Sequence, residues 1–197
     1  MIQLKEFLTE ALTEDIKKLI KKAEDNPNSG AFSISKKELD GIMKGKKSMS
    51  LEEISGNSKL VNMISDKDHG FPVAAQLIKN PDKYFKDDPS LSPDCMLYFY
   101  SGSDNEYKNS LIGICMYDEK VQYIENLVHV VLIETSNDVE NKKDINDFML
   151  KDLSETEKDN GMSGMTAKFL NSKQKTTLVK LGFKQTKENK EIMFHKF

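Results

Sequence analysis

The chain has 197 residues, long enough for one medium domain with a small helical attachment and cramped for two full domains. Hydrophobic residues make up 38% and charged residues 31%, and no apolar run approaches the roughly 20 residues that a membrane helix needs, so the sequence offers no spanning segment. Against 32 acidic residues stand 29 basic ones spread along the chain, all of them Lys, so no broad basic field arises and nucleic acid is not an expected partner.

Without Arg there is no bidentate guanidinium fork for phosphate or carboxylate. The Lys, Ile and Asn bias fits an AT-rich genome, as in a bacteriophage or a low-GC bacterium.

Taken in chain order, residues 1–25 place Ile2, Leu4, Phe7, Leu8, Leu12, Ile16, Leu19 and Ile20 near the i, i+3, i+4 spacing of one helix face. They read as an amphipathic helix, a surface that can present one apolar stripe to a protein partner. Lys5, Glu6, Thr9 and Glu10 interrupt the apolar stretch a secretory signal needs, so a cytoplasmic protein is expected. Asn26 to Gly30 form a turn, because Pro27 cannot continue a helical ladder and Gly30 permits unusual dihedrals.

Residues 26–94 then read as helices and loops. Ser35 with Glu38 and Ser50 with Glu53 mark two capped helix starts, separated by a solvated Lys loop, KGKKS. The stretch from Asp66 to Pro72 breaks the chain, and a short helix follows from Val73 toward Pro81. Asp68, His69 and Gly70 have the composition of an active-site loop, and equally that of a turn whose side chains cap backbone groups. The sequence DDPSLSPD reads as an exposed loop.

From Cys95 the character changes. Two aromatic and apolar runs, CMLYFYS and LIGICMYDE, make an antiparallel hairpin, and VQYIENLVHVVLIET is the strongest strand signal, suited to a central strand buried on both faces. A helix over Asp144–Lys158, the strand MTAKFLN, a short helix closed by Gly182 and a final strand KEIMFHKF complete residues 95–197. This order implies a mixed sheet with a parallel crossover between VQYIENLVHVVLIET and MTAKFLN. Cys95 and Cys115 lie on strands without a CxxC and read as buried thiols; His69, His129 and His195 are scattered, so no metal site is expected. His129, inside the apolar run, reads as a hydrogen-bonded core residue or a proton carrier.

The tail NSKQKTTLVKLGF, with Asn171, Lys180, Leu181, Gly182 and Phe183, resembles the closing motif of the GCN5-related N-acetyltransferases (GNAT), and YIENL and LIGICMYD resemble that family's fourth and third strands. The resemblance implies an α/β fold: a mixed, centrally splayed sheet flanked by helices, here with a helical N-terminal part. It also implies acetyl-CoA as cofactor, lying where the fourth and fifth strands part, expected here after Ile133. Pantetheine would pair with the backbone of Val130, Val131 and Leu132, and Asn171 would belong to the cofactor site. Glu125 matches a position from which the family removes the amine's proton; as a residue it also reads as a solvated strand-end carboxylate. Glu134 sits where the strand ends and is the weaker candidate.

Two family features are missing. The family's phosphate loop, R/Q-x-x-G-x-G/A, lets backbone amides approach an anion at a helix start, yet no glycine occurs between Ile114 and Asn160, and Asp138 and Glu140 bring negative charge there. Lys142 and Lys143 follow as compensating cations. The position of the family's acidic Tyr, seven residues after Asn171, holds Leu178; Tyr117 and Tyr123 are the neighbouring phenols. The opening MIQLKEFLTEAL, through Lys5, Glu6, Phe7, Leu8, Glu10 and Ala11, resembles capsid-targeting segments of phage proteins packaged into the prohead. Two functions are therefore expected to compete: an acetyl-CoA-dependent N-acetyltransferase acting on an amine, or a non-catalytic phage virion protein that retains the fold.

Overall fold

The computed structural model describes residues 32–43, 45–81, 85, 92–100, 110–120, 126–168, 172–187 and 190–197. The N-terminal helix expected over residues 1–25, with the partner surface read from it, lies outside the described residues. In order come α1 (Lys36–Met43), β1 (Lys47–Ser50), α2 (Leu51–Ser55), α3 (Ser58–Ile64), α4 (Pro72–Lys79), β2 (Asp94–Tyr100), β3 (Ser110–Asp118) and β4 (Leu127–Thr135). They are followed by α5 (Lys142–Asp159), β5 (Gly164–Lys168), α6 (Ser172–Lys180), β6 (Lys184–Gln185) and β7 (Ile192–Lys196).

The strands form one sheet of seven in the order β1-β2-β3-β4-β5-β7-β6. Among the described strands only β4 and β5 run parallel, and α5 makes the crossover between them, as the strand order predicts. The fold is GNAT-like: a mixed sheet whose fourth and fifth strands are parallel neighbours, flanked by helices. β1 differs from the reading of residues 26–94 as helices and loops, since Lys47 belongs to a strand paired with Leu97 rather than to a Lys loop. Its four residues, KSMS, lie on the sheet's edge and turn only Met49 inward, so no apolar alternation announces them.

Alternate residues of each strand feed two cores. Met96, Tyr98 and Tyr100 of β2 pack with Ile145, Met149 and Leu153 of α5 on one face. Cys95 and Leu97 pack with Ile54, Phe71 and Leu77 of α2 and α4 on the other. Gly113 lets α5 approach β3 closely, because a Cβ there would run into the Met149 thioether. An ion pair ties the N-terminal part to this face: the half-buried Lys46 Nζ lies 2.8 Å from the buried Asp152 carboxylate, which also accepts the Tyr98 hydroxyl at 2.9 Å.

Both capped helix starts are as read. Ser50 and Glu53 exchange side-chain and backbone bonds ahead of α2, and the Glu38 carboxylate accepts Ser35 N–H at 2.7 Å ahead of α1. The K-L-G-F ending of α6 has a local cause. Gly182 takes φ +87°, Phe183 N–H donates to Leu178 C=O and Gly182 N–H to Val179 C=O, the two bonds that close a helix through a left-handed residue. Phe183 is thereby delivered into the core at 2% exposure.

Candidate functional site at the open half of β4

β4 has two halves. From Leu127 to Val130 it is laddered to β5, opposite Gly164 to Ala167, and from His129 onward it also pairs with β3 on its other side. Beyond Val130 no β5 partner occurs among the described residues, while pairing with β3 continues to Thr135. Among the described residues the ladder between the two strands ends at Val130. Burial changes at the same point: Leu127 to Val130 are buried, and Val131 to Glu134 are each partly exposed.

At the parting point the β3 register slips. Met116 faces Leu132 and Tyr117 faces Val130, leaving Val131 as an extra residue with no paired residue on either side among those described. Such a bulge bends its strand and re-aims the side chains beyond it. Val128 and Val130 face the α5 core, whereas both Val131 and Leu132 pack against the α2–α4 core. Of the residues expected to face pantetheine, Val130 is the last member of the ladder and Val131 and Leu132 begin the open edge. Glu125 and Asn171 lie outside the described residues.

Side chains hold this half in place. The Glu134 carboxylate accepts Val73 N–H at 3.1 Å and Ala74 N–H at 2.8 Å, capping α4 from a distance where Phe71, its own N-cap residue, makes no side-chain bond. Burial nevertheless pushes its carboxyl up to about 7, against the pull of the two amides and of Lys142. The Lys142 ammonium is pushed down by burial, with Glu134 and Asp138 opposing. Thr135 Oγ1 bonds Asn146 Oδ1 at 2.7 Å. Glu134 is thus a structural tie at the edge of the slot, a role that reading it as a strand end did not reveal.

The Asp68-His69-Gly70 turn is built by Asp66, whose Oδ1 accepts the amides of Asp68 and His69. It docks on the segment after β4: His69 Nδ1 lies 3.2 Å from Asp138 Oδ2, and the Ser136 hydroxyl sits between His69 C=O and the Asp138 carboxylate. The aspartate stands between serine and imidazole, so no imidazole is placed to take the serine proton and the cluster is not a nucleophile. His129 is a core residue at 4% exposure with Nδ1 3.1 Å from Thr166 Oγ1. Leu178 packs against the α5-face core.

The segment expected to cradle phosphate, between β4 and α5, is engaged by the chain itself. Phe32 N–H donates to Asp138 C=O and Glu140 N–H to Phe32 C=O, both at 2.9 Å, a parallel bridge to Val139. Asn141, at the start of α5, accepts Ile34 N–H at 3.0 Å and donates to Ile34 C=O at 2.6 Å, leaving the helix without a side-chain cap. These contacts join residues more than a hundred positions apart, and nothing local in the sequence signals them.

Among the described residues no group of His, Cys, Asp and Glu is arranged to hold a metal ion, and no helix is long and apolar enough to cross a membrane. No protein-family model and no curated protein matches the chain. Among solved structures it is similar to a chain of the KacTA–DNA complex, at 15% identity and TM-score 0.48, covering 77% of this chain and 92% of that one. It is similar to the PaiA N-acetyltransferase of Thermoplasma acidophilum in complex with coenzyme A, at 16% identity and TM-score 0.47, over 77% of this chain and 99% of that one. A third similar structure is AtaTR bound with acetyl-CoA, at 10% identity and TM-score 0.46, over 77% and 93% of the two chains.

Proposed function

We propose that the protein binds acetyl-CoA at the open half of β4 and serves as an N-acetyltransferase toward an amine. The observation that carries this reading is that, among the described residues, β4 has no β5 partner after Val130 and carries a bulge at Val131, which supports an open edge on an interior strand. An extended amide-bearing chain such as pantetheine is the kind of group that adds to such an edge through main-chain bonds. When bound, acetyl-CoA supplies an activated acyl group. The open edge from Val131 onward would hold the pantetheine, and Lys142, Lys143 and the amides at the start of α5 would face the diphosphate. The residues fit well at the slot and less well at the loop, where Asp138 and Glu140 add negative charge and Phe32 engages one amide.

An acetyltransferase also has to deprotonate its amine. Glu125 is the proposed base, and Asn171 is proposed at the cofactor site, both on the family resemblance. Glu134 is already engaged by two amides and is not assigned this task. A second reading, a relative that keeps the fold without turnover, is favoured by Leu178, which offers no proton to a departing thiolate.

Titration calorimetry with acetyl-CoA tests the proposal. A micromolar dissociation constant is expected, and Val131→Pro, which deletes one amide from the edge, weakens it about tenfold. Absence of both heat and thermal shift rules out the acetyltransferase reading. Binding without acetyl transfer to any of a panel of primary amines selects the second.

A further inference from the structure

We infer that the strap Phe32–Ile34 is an internal competitor for the cofactor's diphosphate, so that affinity at the slot is set by displacing it. The inference rests on the acetyl-CoA reading and specifies how that site is regulated. Three observations support it. The strap makes four hydrogen bonds to residues 138–141, and one of them takes Glu140 N–H, an amide in the segment that leads into α5. Asn141, a residue type that ordinarily caps its own helix, instead spends both ends of its side chain on Ile34, so the α5 start is left without a side-chain cap. A cleft of about 560 Å³ between α1 and α5 lies beside Ile34 and Asn141, next to the strap's bonds to Asn141.

The chemistry favours exchange. The strap offers neutral carbonyls, while a diphosphate offers ionised oxygens whose bonds to N–H groups are shorter and roughly twice as strong. The strap's apolar anchors oppose this: Ile34 is 2% exposed, and the Phe32 ring lies 5.5 Å from that of Tyr100. Apparent affinity then equals the intrinsic affinity multiplied by the fraction of molecules in which the strap is away. The arrangement also accounts for a loop without glycine. A carbonyl carried in by the chain itself satisfies the amide, and the backbone need not open to a bulky anion.

Two measurements on the full chain test this. Asn141→Ala removes both side-chain bonds to Ile34 and keeps every backbone amide; it is expected to tighten acetyl-CoA binding about fivefold in calorimetry. In the wild-type protein, saturating acetyl-CoA is expected to speed hydrogen exchange at the amides of Phe32 and Ile34, which a purely structural strap would slow or leave alone. Acetyl-CoA binding with no tightening in Asn141→Ala and no faster exchange overturns the competitor role and leaves the acetyl-CoA reading standing. Binding by Asn141→Ala and not by wild type marks a strap that closes the site fully and supports the inference. Should neither protein bind, the cofactor reading fails and the competitor role falls with it.

Discussion

The first and second halves of β4 solve the same problem by different means. From Leu127 to Val130 the backbone is paired with β5, at His129 and Val130 with β3 as well, and all four residues are buried. From Val131 onward no β5 partner occurs among the described residues, and side chains tie the strand: Glu134 reaches α4, Thr135 reaches α5 and Ser136 reaches the His69 turn. A central strand is opened without collapse because its loose half is tied to three separate elements. Rigidity in the first half comes from a ladder that any sequence can make; in the second it comes from particular residues.

Substitutions along the strand should grade accordingly. The largest effect belongs to the laddered half. A side chain at Gly164, opposite Leu127, would meet the His195 carbonyl and the Leu127 side chain, so Gly164→Val should cost about 3 kcal/mol or more in denaturant unfolding.

Next comes Glu134, whose carboxyl is raised from 4.5 to about 7. The folded state holds this proton after the unfolded chain has released it. Stability from this group is therefore complete below pH 4.5 and is lost as pH climbs toward 7, on the order of 3 kcal/mol in all. Melting temperatures from pH 4 to 8 should show a shallower decline in Glu134→Gln than in wild type; parallel curves would mean that the carboxylate is charged throughout. Glu157, 0% exposed and also raised to about 7, adds a decline of the same sign that both proteins share.

Thr135→Val removes one neutral side-chain bond and should cost about 1 kcal/mol. Val131→Pro removes no paired ladder position among the described residues, so its cost, about 1 kcal/mol, is lost packing against the α2–α4 core, and it should weaken acetyl-CoA binding. A large loss of stability there would mean that the Val131 amide is already engaged, and the contrast between the halves would disappear.

What could be read from the sequence was local. The helix ending at Gly182 and the two capped starts depend on residues within a few positions of one another, and the parallel crossover comes from element order. β1 escaped because four mostly polar residues on an edge carry no pattern. The strap escaped because Ile34 and Asn141 meet only through the fold. Glu134 was legible as a carboxylate at a strand end, but its partners are backbone amides, which have no letter in the sequence. The register slip at Val131 was likewise hidden, since an extra residue in one strand is defined only against its neighbour. Acetyl-CoA, Glu125 and Asn171 came from family resemblance, and they remain proposals to be tested in solution.

Val131 also acts as a change of parity. Counting by twos from Val128 would bring Leu132 and Glu134 to the α5 side and Ile133 to the α4 side; the added residue reverses that assignment. Deleting this single position would restore regular alternation and leave Leu132, Ile133 and Glu134 on the faces they now hold. A one-residue deletion in a regular stretch of the strand would instead exchange inside for outside for the residues beyond it.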